Sequence, residues 1–230
     1  DSPDVRSVVL EQLYPHLKGG QVLIDMSSID PGVSREIGEK LAEKQVGMLD
    51  APVSGGEPKA VDATLSFMVG GQDALFRQYA PLLKTMGRTV TYCGPLGAGN
   101  TVKLANQMIV AANIAAAAEG LMLARRNGVS PETVFHAVRG GLAGSAVMEA
   151  KVPMMLRNDT QPGFRIRLHI KDLKNALRAA ADSGSPAPLS SVVMQQLLAV
   201  QEAGFSEADH SAIAKYYEAL TGETLYEPDL

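Results

Sequence analysis

Near residue 97 the chain changes its pattern, and that change limits its fold more than any other feature of the sequence. Before it, short apolar runs alternate with helical stripes. After residue 96 no stretch reads as a strand. Val5, Val8, Val9, Leu13 and Leu17 make a helical stripe that stops at Gly19-Gly20, and Ser2-Pro3 supplies a capping hydroxyl and a proline at the first helical position. "QVLIDM" (21–26), "GMLDAPV" (47–53), "TLSFMVGG" (64–71) and "TVTYCG" (89–94) read as strands, with helices from Pro31 to about Lys44 and over roughly 72–86. Strands alternating with helices predict an α/β layer with a largely parallel sheet.

The second part opens with one helical pattern from Gly99 to about Gly128, interrupted only by Gly120. Its "AANIAAAAEG" segment carries small side chains that let another helix approach closely. Further helices are expected at about 130–139, 145–157, 168–183, 188–203 and 207–221, the last opened by a capping-box-like Ser206 and Asp209. The expected fold class is α/β plus all-α. The expected domains are 1–96 and 97–230, joined by one long helix.

Charge and cysteine content narrow the function classes. The 21 basic and 25 acidic side chains leave a net charge of −4 with no basic block, so nucleic acid is not an expected partner. Cys93 stands alone, which rules out an internal disulfide. The apolar run Met108 to Ala112 is far shorter than the ~20 residues of a membrane span. "DSPDVRSVVL" has neither a charged nor an apolar leader region, and a cytoplasmic location is expected.

Four stretches could carry chemistry. "IDMSSIDP" (24–31) places two hydroxyls at a strand end, where open α/β sheets take ligands; the pattern alone favours Ser28 or Asp30 as a helix cap. "DAPVSGGEPKA" (50–60) sets Ser54-Gly55-Gly56 directly after a strand. Two adjacent glycines let backbone N–H groups approach a carboxylate or phosphate, and they equally suit a tight turn with positive φ. "GAGNTVKLANQ" (97–107) puts Lys103, Asn106 and Gln107 on one helix face. A partly buried lysine gives up its proton more readily, but the pattern alone favours a solvated face. "FRIRLHIKDLKNAL" (164–177) sets Lys171, Lys174 and Asn175 apart from its buried stripe, again as a solvated face on pattern alone.

The remaining polar groups are weaker candidates. His16, His136, His169 and His210 show no metal spacing, so no metal is expected. Asp209-His210-Ser211 has the residue types of a triad, but consecutive side chains diverge. "RGGLAGS" (139–145) is a flexible turn before it is a ligand loop. No G-x-G-x-x-G turn occurs; Gly97-Ala98-Gly99 lacks the third glycine in register.

In this order, "DMSSIDP", "DAPVSGG", "GAGNTVKLANQ" and "FRIRLHIKDL" resemble the β-hydroxyacid dehydrogenase family over essentially all 230 residues. "RGGLAGS" and "ADHSAIAKYYE" are similar to the members that reduce tartronate semialdehyde. The resemblance implies a partial Rossmann-like domain for NAD or NADP and an all-helical domain that completes the active site. It implies Lys103 as the catalytic lysine and Asn106 beside the substrate, although many members carry the asparagine where this chain has Gln107. Ser54, Gly55 and Gly56 would hold the substrate carboxylate, and Ser28 and Lys171 would touch the cofactor. Asp172 would lie near the site. The substrate would be a three-carbon hydroxy or oxo acid, no membrane would be involved, and the chain would form a homodimer or homotetramer. Within the family the rival is 3-hydroxyisobutyrate dehydrogenase; outside it, a non-catalytic oligomer that binds a small anion. Family members begin with a strand and the glycine-rich turn. A chain starting at Asp1, whether shortened or natural, is expected to bind cofactor weakly and to expose a sheet edge.

Overall fold

A computed structural model describes residues 1–226. Helix α1 (Ser2–Ser7) continues through a π turn and a 3-10 turn to His16. Strand β1 (Val22–Asp25), α2 (Pro31–Ala42), β2 (Gly47–Asp50), β3 (Val53–Ser54), α3 (Gly56–Val61), β4 (Leu65–Gly71), α4 (Asp73–Leu83) and β5 (Gly87–Gly94) follow. The rest is helical: α5 (Ala98–Arg126), α6 (Pro131–Val138), α7 (Ala146–Leu156), α8 (Ile166–Ser183), α9 (Pro188–Val200) and α10 (Ala214–Thr221). No strand follows β5 among the described residues. The α/β-plus-helical class read from periodicity is the observed one.

The sheet is mixed rather than largely parallel. β1 pairs with β2 and β4 with β5 in parallel, but β4 runs antiparallel to both β2 and β3. The reason lies in the connections. Parallel neighbours need a crossover of a dozen or more residues, which α2 and α4 provide. Between β2 and β4 the chain instead turns back through the two-residue β3 and the short α3.

The chain forms two compact units, Asp1–Asn106 with Asn175–Pro186, and Gln107–Lys174 with the chain from Ala187. In the sheet unit one apolar cluster packs Val9, Ile37, Leu41, Val46 and Met48, and a second packs Leu49, Phe67, Val69 and Leu83. The caps differ from expectation. Asp1, not Ser2, caps α1, because its carboxylate accepts the Ser2 N–H; the Ser2 hydroxyl accepts the Asp30 N–H at 3.0 Å.

In the helical unit, Ala111, Ile114, Ala118, Leu121 and Met122 of α5 are buried. By length and composition α5 could cross a membrane, but these buried side chains make it the core helix of its unit. The Ser206 capping box does not form. Asp209 caps the 3-10 turn His210–Ile213 by accepting the Ser211 N–H, and α10 starts only after that turn. Asp209 is fully buried and accepts both Gly163 and Phe164 N–H groups; the Lys151 ammonium lies 2.9 Å from each carboxylate oxygen. Burial works to raise the Asp209 pKa, but the charge interaction with His210, the Ser211 and Phe164 N–H groups and the Lys151 ammonium hold it below the ordinary carboxylate range. The Ser211 hydroxyl faces the Met154 sulfur, so no serine triad exists here.

Candidate active site

Helix α5 starts on the end of the sheet, and a buried carboxylate fixes it there. Asp50, the last residue of β2, accepts the backbone N–H of Gly97 at 2.8 Å and of Asn100 at 2.7 Å. A helix leaves its first N–H groups unsatisfied, so Asp50 serves as a cap supplied by another element. Burial pushes the Asp50 carboxyl up, and these two N–H bonds pull it back. Asn100 extends the anchor. Its Oδ1 accepts the Ile29 N–H at 3.0 Å and its Nδ2 donates to the Ser34 hydroxyl at 3.1 Å. The loop after β1, the end of β2 and the start of α5 are thus tied together by buried polar bonds.

Backbone packing sets the height of the helix over the sheet. A Cβ on Gly99 would collide with the carbonyl oxygens of Met68 and Asp50, and one on Gly70 would stand 2.7 Å from the Gly99 nitrogen. Only glycine fits where main chain meets main chain. One helical turn beyond Gly99 comes Lys103, 8% exposed. Asn106 is half-buried and Gln107 is buried. The trio on "GAGNTVKLANQ" is therefore not a solvated face.

The other sequence-derived candidates fall as follows. Asp30 is the cap of α2, accepting the Gly32 N–H at 2.7 Å, and Ser28 is half-buried in the loop whose next residue is tied to Asn100. Ser54 ends β3 and is half-buried. Gly55 has φ 138° and Gly56 φ 65°, so the turn requires glycine at both positions. Ser28, Ser54, Gly55, Gly56, Lys103 and Asn106 belong to the sheet unit; Gln107, Lys171 and Asp172 belong to the helical unit.

Those last three come together. Gln107 donates its side-chain amide to Asp172 Oδ2 at 2.6 Å, and the Lys171 ammonium lies 3.0 Å from Asp172 Oδ1 as an ion pair. Asp172 is 2% exposed. Of Lys171, Lys174 and Asn175 on α8, only Lys174 is exposed; Lys171 and Asn175 are half-buried, so that face is not the solvated one its pattern suggests. Sequence reasoning missed Asp50, Asn100 and a buried contact between His169 and His210. The signal for Asp50 was present as a carboxylate inside an otherwise apolar strand.

The dinucleotide suits the residues at the sheet's end. Asp25, at the C-terminal end of β1, has a buried carboxylate oxygen with no hydrogen-bond partner, an acceptor that fits hydroxyl or amide donors. The Ser27 and Ser28 side chains follow Asp25 in the same loop and are exposed enough to donate. Open α/β sheets take ligands at this edge.

Comparisons with known proteins agree with this anatomy. Residues 1–94 match the NAD-binding domain of 6-phosphogluconate dehydrogenase, and residues 97–217 match the NAD-binding domain of NADP-dependent 3-hydroxyisobutyrate dehydrogenase. The chain is 37% identical to 2-hydroxy-3-oxopropionate reductase of Escherichia coli (strain K12) over 228 residues, covering 98% of this chain and 78% of that protein. It is 34% identical to the mitochondrial 3-hydroxyisobutyrate dehydrogenase of Mus musculus, over 87% of this chain and 62% of that protein. A solved structure of Mycobacterium tuberculosis 3-hydroxyisobutyrate dehydrogenase with L-serine superposes with a TM-score of 0.85 at 32% identity, over 92% of this chain and 75% of that one.

Proposed function

The chain belongs to the β-hydroxyacid dehydrogenase family, and from that premise we propose that it reduces tartronate semialdehyde to glycerate, with Lys103 as general acid. The enzyme is an NAD(P)-dependent oxidoreductase, and its cofactor is NAD or NADP. Hydride for the aldehyde carbon would come from the reduced nicotinamide when it is bound. Lys103 stabilises the negative charge that develops on the aldehyde oxygen and transfers a proton to it. In the reverse direction the neutral amine takes that proton back. Ser54 and the N–H groups of Gly55 and Gly56 orient the substrate carboxylate and so aim the carbonyl. Asn106 and Gln107 hydrogen-bond the substrate side, and Ser28 and Lys171 contact the cofactor. The observation that carries this reading is a lysine only 8% exposed, one turn along a helix whose start is pinned to the sheet by Asp50.

The fit to 3-hydroxyisobutyrate dehydrogenase structures supports a second substrate, a semialdehyde bearing a methyl group in place of the hydroxyl. Oxidation of NADH and of NADPH, measured with tartronate semialdehyde and with methylmalonate semialdehyde, separates the two. We expect kcat/KM to favour tartronate semialdehyde by more than about tenfold. A reversed ratio would move the chain to the second substrate, and turnover of neither would remove the proposal.

A homodimer or homotetramer is part of the same proposal. Ile109 on α5 and Leu189 and Val192 on α9 are 62%, 60% and 57% exposed around one groove of about 380 Å³. Large exposed apolar side chains clustered this way suit a second copy of the chain. Light scattering at micromolar concentration should show at least a dimer; a monomer would contradict this.

A further inference from the structure

His169 on α8 and His210 at the head of the 3-10 turn meet inside the helical unit, 1% and 5% exposed. Their Nδ1 atoms are 3.0 Å apart. The second ring nitrogen of His169, Nε2, lies 3.2 Å from the main-chain carbonyl oxygen of Gln107. A carbonyl only accepts, so His169 Nε2 carries a hydrogen. A neutral His169 then has a bare Nδ1, and the hydrogen between the two Nδ1 atoms belongs to His210. Burial drives the His210 pKa down to about 3; His169 and Lys151 deepen the fall and Asp209 opposes it. The Phe164 ring meets both imidazoles edge-on, at 5.6 and 5.4 Å between centroids. This apolar contact adds to the burial that disfavours charge on His210.

The far end of this pair reaches a residue already placed at the site. Gln107 is held from α8 in two ways: its main-chain carbonyl accepts from His169, and its side-chain amide donates to Asp172, three residues further along the same helix. Asp172 in turn pairs with Lys171. One anchor would leave a glutamine side chain several rotamers. Two anchors on successive turns of one helix fix both its backbone and its tip.

We propose that His169 and His210 are positioning residues: two imidazoles of opposite tautomer, joined by an N–H···N bond, that lock α8 onto the Gln107 carbonyl and so hold Gln107 and the Lys171–Asp172 pair in working register. This rests on the assignment of those three residues to the site. Histidine suits the task because a neutral imidazole donates at one end of a rigid ring and accepts at the other. Leucine at 169 would fill the space but remove the second donor to the Gln107 carbonyl and leave the His210 Nδ1–H buried without its acceptor.

NMR of the ¹⁵N-histidine-labelled protein tests the pair. His169 should be protonated on Nε2 and His210 on Nδ1, with a scalar coupling across the two Nδ1 atoms, unchanged from about pH 8 to about pH 5. In His169→Leu the Gln107 side-chain amide resonance should move, and kcat should fall about tenfold or more while KM for the semialdehyde changes less than about threefold. His169→Gln, whose terminal amide stands where Nε2 stood, should restore kcat to within about threefold of wild type. His210 protonated on Nε2, titration of His210 near its ordinary value, or a Leu variant that matches wild type in both the Gln107 resonance and kcat would overturn the proposal. The resonance needs no turnover. A wild-type protein inactive on every semialdehyde would therefore remove the functional reading, while the pair would stand or fall on the spectra.

Discussion

Lys103→Ala is expected to lower kcat for semialdehyde reduction by about a hundredfold to ten-thousandfold, the usual contribution of a general acid in place. KM should change far less, because the turn proposed to hold the carboxylate, Ser54-Gly55-Gly56, lies elsewhere in the sheet unit. Lys103→Arg separates the two roles given to the lysine. Arginine keeps the positive charge that stabilises the oxyanion but does not release a proton at working pH. It should therefore recover part of the rate and none of the acid catalysis. The check is steady-state oxidation of NADH or NADPH by wild type and both variants, alongside thermal melts to show that all three are folded. An alanine variant within about threefold of wild type would end the case for Lys103 as the acid.

The largest loss of stability is expected from Asp209→Asn. The substitution leaves the Lys151 ammonium without its counter-charge and turns an amide N–H2 toward backbone donors that now meet a carboxylate oxygen. Removing one partner of a buried ion pair costs about 3–5 kcal/mol. For a chain of this size each kcal/mol shifts Tm by about 2–4 °C, so calorimetry should register a fall of roughly 6–20 °C. The pH dependence has a definite sign. The folded pKa of Asp209 lies below its unfolded value, so its stabilisation is complete above the ordinary carboxylate range of about 4 and disappears as pH falls through the folded value. Asp209→Asn should therefore flatten the acid limb of the stability curve. An unchanged acid limb would mean that another carboxylate governs acid unfolding.

Helix positions were legible in the sequence because they depend on local periodicity and on breakers. Pro31 and Pro188 start helices, and α9 gives way to a π turn containing Gly204, with φ 96°. Strand direction was not legible: the segment between β2 and β4 is about as long as the one between β4 and β5, but it is spent on β3 and α3 rather than on a crossover helix. Caps were misplaced by one residue at Ser2 and by three at Ser206, because the choice among neighbouring polar residues is made by backbone geometry. The Lys103, Asn106 and Gln107 spacing was visible because it is a property of a single helix. Its burial was not, since periodicity fixes a face but not what covers that face. The Asp50 anchor joins groups 47 and 50 positions apart, and the histidine pair joins positions 41 apart; the carboxylate in its apolar strand hinted at the first, but local periodicity names the partners of neither.

The contact between Gly70 and Gly99 has a consequence for how such a protein can evolve. Most packing errors are repaired by a second change nearby, because side chains trade volume with one another. Here the opposing surface is peptide backbone, which no substitution can shrink. The two positions have no compensating partner, so drift at either ends in a displaced helix rather than a repacked one. Substrate preference can change through residues around the site, whereas the seat of the helix that presents Lys103 admits one solution. A lineage that lost either glycine would have to rebuild the joint before it could keep the lysine in place.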